Sequence, residues 1–245
     1  DSSGTKPDEK KDAKKADAVP APKPDSIYIA LSVPRSRPQG TIAFTGVRVL
    51  TERGGNADAV LEDATVVVRD NRITAVGPRG STPVPAGART FDARGKTIMP
   101  GIIDVHAHAH YANVGVVPNH FWSYDANLAY GVTTMHDPSA TSWEVFTEGE
   151  MVEAGELRGP RIYSTGNILY GAGSRDAIPM QSLDEARNHL RRMKRLGAIS
   201  VKSYMQPRRE QRQWILQAAR EESMLVVPEG GGKFEENLGM IADGH

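Results

Sequence analysis

Thr97-Ile98-Met99-Pro100-Gly101-Ile102-Ile103-Asp104-Val105-His106-Ala107-His108 is the stretch on which the fold turns. From Thr97 to Val105 it reads as a buried, nearly all-apolar strand that passes a Pro-Gly turn and ends on two histidines two residues apart. Alternate side chains of a strand share a face, so both imidazoles can reach one ion. Neutral imidazole is the commonest side-chain ligand for zinc and suits other borderline divalent metals, and barrel enzymes build their sites at the C-terminal ends of strands. The plainer alternative is a pair of polar loop residues, and closure of an apolar strand by His106 and His108 favours the metal. His110 continues the alternation but falls past the expected strand end.

Downstream, apolar strands alternate with helical stretches in the manner of successive βα units. The expected strands are Thr97 to Val105, Val132 to His136, Arg161 to Thr165, Ser200 to Tyr204 and Met224 to Pro228. Ser182-Leu183-Asp184-Glu185 carries the capping-box signature, and Leu183, Ala186, Leu190, Met193 and Leu196 give the helix an apolar face before Gly197. Arg208 to Glu222 is a second helix, buried through Trp214, Ile215, Ala218 and Ala219. This rhythm suits an α/β chain built as a partial (β/α)8 barrel over residues 98–245, although spacing leaves an open sheet possible.

Upstream, Ile27 to Val33, Thr41 to Leu50, Ala64 to Arg69 and Arg72 to Val76 are β-rich runs parted by turn signals, a small β segment over residues 26–97. Asp70-Asn71 between two β-branched stretches predicts a hairpin. Lys6 to Asp25 is charged and rich in Ala and Pro, and residues 1–25 read as a disordered linker. The chain of 245 residues opens on Asp1 rather than Met and stops just after an apparent helix, so both ends look like cuts in a longer protein. Its 30 basic and 30 acidic residues balance, which argues against nucleic acid or an anionic membrane and for a neutral small molecule or short peptide. The basic residues Arg187, Arg191, Arg192, Lys194 and Arg195 interleave with acids around an apolar stripe, as on a solvated outer helix. No apolar run is long enough to span a membrane. Absence of cysteine leaves His, carboxylate or modified Lys to hold any metal.

Lys202, in Ser200-Val201-Lys202-Ser203-Tyr204, sits within the fourth expected strand, where an ammonium is costly unless paired or altered. Pro100 to His108, preceded by Val76-Gly77 and Asp92 to Lys96 and followed by Gly131-Val132-Thr133-Thr134, Gly159-Pro160-Arg161-Ile162 and Gly197 to Lys202, resembles the amidohydrolase superfamily over about residues 40–245. The branch it resembles most is that of prolidases and imidazolonepropionases in which a TolB-like β-propeller precedes the hydrolase. The resemblance implies a β-sandwich, formed partly from the N-terminal segment, beside a (β/α)8 barrel that holds one or two divalent ions, zinc above all. His106 and His108 match the first-strand ligand pair. Lys202 matches a lysine that two-metal members carboxylate to bridge the ions; the alternative is an ammonium that reaches solvent or pairs with a carboxylate at the barrel mouth. Glu229 stands where the commoner pattern has a histidine, and either coordinates the metal or caps the glycine turn.

Three further residues are candidates for substrate binding. His136 follows the second strand and either lines the pocket or bonds locally to Asp137 or backbone, while Tyr170 and Arg175 belong to a glycine-rich loop after the third. The expected activity is hydrolysis of C–N bonds in amides, dipeptides or cyclic amides by metal-activated water, with the remaining barrel and a general-base aspartate supplied beyond His245. The rivals are a deaminase of amino-heterocycles on the same scaffold and a non-catalytic module that has lost its metal. The resemblance also favours an exported bacterial location, and it leaves homo-oligomerisation open.

Overall fold

The computed structural model describes residues 27, 29, 31–51, 60–108, 119–170 (the side chain of Tyr170 aside), 180–204, 206 and 208–245. The expected linker Lys6 to Asp25, His110 and Arg175 lie outside them, as does the side chain of Tyr170. Ile27 to Val33, expected as a strand, forms none among its described residues; Ile27, Ile29, Leu31 and Val33 are exposed, without the ladder that an extended segment needs.

The first sheet contains β1 (Thr41–Leu50), β2 (Val60–Arg69), β3 (Arg72–Pro78), β4 (Arg89–Asp92) and β5 (Thr97–Ile98). Its order is β3-β2-β1-β4, with β5 also paired to β1. The β2–β3 hairpin closes on Asp70 and Asn71, at φ 47° and 67°, and two positive-φ central residues are what a tight turn matched to strand twist requires. Val47, Val49, Ala64, Val66 and Ala93 form its core. Among the described residues this segment forms one five-stranded sheet.

The decisive stretch does not form one strand. Thr97 and Ile98 pair with Arg48 and Val49 in the first sheet, whereas β6 (Ile102–Asp104) pairs in parallel with β7 (Val132–Asp137) in another. Pro100 between them lacks the N–H a continuous ladder needs. Gly101 lets the chain pass Thr133, since a Cβ there would lie 1.9 Å from the Thr133 hydroxyl. Nor is β6 buried: Ile102 and Ile103 are 47% and 62% exposed, because among the described residues it has a strand on one side only.

Beyond β6 the chain runs through α1 (Trp122–Ala129), β7, α2 (Ser142–Ala154), β8 (Arg161–Ser164), β9 (Leu169–Tyr170), α3 (Leu183–Arg195), β10 (Ser200–Tyr204), α4 (Arg209–Glu222), β11 (Leu225–Glu229) and α5 (Phe234–Asp243). Two parallel three-stranded sheets result, β6-β7-β8 and β9-β10-β11, whose neighbours follow chain order. β8 and β9 are separated only by residues 165–168 and are the edges by which the two sheets meet in sequence. The order is that of the opening strands of a βα barrel, and among the described residues the sheets do not close. The Ser182 hydroxyl accepts the Glu185 N–H (3.2 Å) at the start of α3, as a capping box requires; Glu185 reaches back to the Gln181 N–H (2.5 Å), one residue earlier than the usual reciprocal bond. Leu190, Met193, Val201, Ile215 and Ala219 form the core between α3, α4 and β10, while Tyr124, Met135, Leu157 and Ala107 form a second core between α1 and β7.

Candidate metal centre

His106 and His108 lie just past β6, in an extended turn rather than on the strand itself. Three residues of that turn have specific contacts. The Asp104 carboxylate accepts the His106 N–H at 3.0 Å, and the His136 carbonyl accepts the Ala107 N–H at 2.9 Å. His108 Nδ1 lies 3.4 Å from Oδ1 of the buried Asp137. The turn brings the two rings together, edge to face with centroids 5.0 Å apart.

On the other sheet, the Lys202 side chain is buried and its Nζ lies 2.5 Å from Glu229 Oε2. Register accounts for the contact, since Lys202 pairs with Val227 and Tyr204 with Glu229, so the lysine reaches diagonally toward the last residue of β11. The Tyr204 ring lies 5.3 Å from the same ammonium. Lys202 and Glu229, both candidate ligands, thus face each other across neighbouring strands. Gly230 and Gly231 abut Asn237 and Glu236, so the glycine turn after β11 packs against α5 without help from the Glu229 side chain.

His136 reaches across to the other sheet. Its Nε2 stands 2.7 Å from Ser200 Oγ, which makes it the cross-link between β7 and β10, and burial pushes the imidazole below its ordinary value against the opposing pull of the Val105 carbonyl and Asp137. Ser200, Lys202 and Tyr204 alternate on β10, so His136 contacts the face that carries the Lys202–Glu229 pair. Ser200 and Asp137 escaped the sequence reading as site residues. The signal for Ser200 was present in its spacing of two from Lys202; that for Asp137 was its place beside His136 at the strand end. His120 is held outside this cluster, by Asp125. His189 points into the α3 core, where burial lowers its value to about 4.

The donor chemistry, imidazole nitrogen with carboxylate oxygen, fits a borderline divalent cation. The observation that tests the fit is the Lys202–Glu229 pair, a buried amine and a half-buried carboxylate that a cation and a modified lysine could replace charge for charge. Spacing presents the donors as two pairs, and among the described residues no three His, Asp or Glu side chains converge closely enough to hold an ion.

No family model matches the chain. It is 49% identical over 55 residues to the 5-methylthioadenosine/S-adenosylhomocysteine deaminase of Symbiobacterium thermophilum, covering 22% of this chain and 12% of that protein. It is 30% identical over 139 residues to the imidazolonepropionase of Bdellovibrio bacteriovorus, covering 52% and 31%. Among solved structures, a putative prolidase from Bifidobacterium longum superposes with TM-score 0.63 at 24% identity, over 83% of this chain and 52% of that one. An enamidase described as a member of the amidohydrolase superfamily superposes with TM-score 0.54 at 17% identity, over 82% and 55%. The chain thus spans about half the length of these structures and a third or less of the curated relatives. The solved structures share the fold of this chain, and the curated relatives match it over part of its length.

Proposed function

We propose that the chain forms the opening half of a metal-dependent hydrolase of C–N bonds in small amides, dipeptides or cyclic amides. The observation that carries this reading is the placement of His106 and His108 just past the C-terminal end of β6 and of Glu229 at the C-terminal end of β11, where it meets Lys202 from the middle of the neighbouring parallel strand β10. His106, His108, Lys202 and Glu229 would hold one or two divalent ions, zinc above all, with Lys202 carboxylated where two are bound. A bound divalent ion supplies an acidified water and polarises a carbonyl. The chain's own part is to orient: the turn at 105–108 fixes the imidazoles, and His136 ties that turn to the lysine-bearing strand. Tyr170 and Arg175 would meet the substrate carbonyl or carboxylate, and His136 would be a further substrate-binding residue. Export from a bacterial cell and fusion to a β-propeller belong to the same proposal.

The similarity to a deaminase over 55 residues favours a second reading, release of ammonia from an amino-heterocycle. One experiment separates them. The complete protein, with its metal content measured, is offered hydantoins, N-acyl amino acids, X-Pro dipeptides and aminopurine nucleosides. Amide or ring opening lost in Lys202→Ala supports the hydrolase; ammonia from the nucleosides alone selects the deaminase. Absence of bound metal together with inactivity on every substrate defeats both.

A further inference from the structure

Asp137 is the last residue of β7 and its side chain is 1% exposed. Two contacts fix its Oδ1: the Ser139 N–H donates to it at 2.8 Å, and His108 Nδ1 lies 3.4 Å away. The first bond anchors the carboxylate within its own turn, so its direction is set independently of the histidine. The second is longer than a well-made hydrogen bond, and His108 is 50% exposed, so the pair contributes little to stability by itself. Its consequence lies elsewhere. A carboxylate facing Nδ1 selects the tautomer with the proton on that nitrogen, which leaves the Nε2 lone pair for a cation and restricts rotation of the ring.

The neighbouring contacts make the same selection for the backbone. Asp104 holds the His106 N–H, and the His136 carbonyl holds the Ala107 N–H. Asp137 therefore sits beside the His108 ring as a carboxylate already fixed within its own turn.

We propose that Asp137 is a positioning residue that holds His108 in its Nδ1–H form and aims Nε2 at the metal. The inference rests on the hydrolase reading above for the identity of the ligand, but not for the tautomer. The test uses the full chain with histidine labelled at its ring nitrogens, freed of metal by chelation, and compares wild type, Asp137→Asn and Asp137→Ala. Nitrogen NMR in the metal-free protein reports the His108 tautomer, zinc competition against a chromophoric chelator reports affinity, and circular dichroism reports folding.

The expected result is the Nδ1–H tautomer in wild type, a mixed population in Asp137→Ala, and zinc affinity lower by about 10- to 100-fold in Asp137→Ala. Asp137→Asn, which keeps an acceptor without the charge, should fall between them. A folded Asp137→Ala with zinc affinity within about twofold of wild type and an unchanged tautomer overturns the proposal. Should Asp137→Ala fail to fold, the wild-type tautomer and Asp137→Asn decide the matter by the same criteria. If wild type binds no zinc yet shows the Nδ1–H form that Asp137→Ala loses, the metal reading fails while the positioning contact stands.

Discussion

Replacing Glu229 with Ala should destabilise the metal-free protein mainly by stranding Lys202. The lysine side chain is 4% exposed and meets Glu229 at 2.5 Å, whereas the glutamate side chain is 37% exposed. Breaking a fully buried ion pair from one side costs about 3–5 kcal/mol, because the remaining charge is left without compensation. Water can reach the glutamate end, and that screening reduces the expected loss to about 2–3 kcal/mol. The assay is urea unfolding of the chelated protein, run as a double-mutant cycle with Lys202→Met. If the interpretation is right, Lys202→Met restores most of the stability that Glu229→Ala removes, because no ammonium then remains to be stranded. The cycle should give a coupling energy above about 1 kcal/mol. Additive losses, with coupling below about 0.5 kcal/mol, would refute the pairing and with it the charge-for-charge argument for a cation at this place.

Three other expectations follow from particular contacts. The His189 imidazole is lowered to about 4 by burial, then by Arg192, so the unfolded chain binds more protons between about pH 6.5 and 4. Stability should therefore fall as pH drops through that window, by up to about 3 kcal/mol, and His189→Gln should flatten the dependence measured by urea unfolding at pH 7 and pH 5. Tyr124 is fully buried and donates to Glu148, so Tyr124→Phe should cost about 1–3 kcal/mol in the same assay by leaving a buried carboxylate short of a donor. Gly101→Ala would set a Cβ 1.9 Å from Thr133 Oγ1, and should cost about 1–3 kcal/mol in the same assay and weaken zinc binding measured by chelator competition, with Gly101→Ala/Thr133→Gly recovering part of both.

Much of the barrel portion was legible because its signals are local. The Ser182–Glu185 cap, the Gly stop at 197 and the apolar stripe of α3 each specify helix ends and a buried face without reference to distant residues. The Asp70-Asn71 hairpin was legible for the same reason, since two residues that tolerate positive φ define the turn. The stretch at 97–108 misled because its apolar composition fits a strand in either sheet, and composition does not say that the ladder changes partner at Pro100-Gly101. Ile27 to Val33 misled in another way: β-branched residues favour extended backbone, but a strand exists only where a partner supplies its hydrogen bonds.

The donors themselves were legible as residue types at strand ends, whereas their relations were not. No local pattern says that Lys202 reaches Glu229 diagonally or that His136 bonds to Ser200, because both contacts span strand registers. The second contact alters what a histidine at that place can do. With Ser200 Oγ at its Nε2, His136 has that ring nitrogen committed within the protein, so a substrate contact through it requires that bond to break. Its first effect is mechanical: it joins the strand whose end grips the His106–His108 turn to the strand that carries Lys202. Two donor pairs on separate sheets can act on one substrate only if the distance between the sheets is fixed, and among the described residues His136 and Ser200 make a side-chain bond across them.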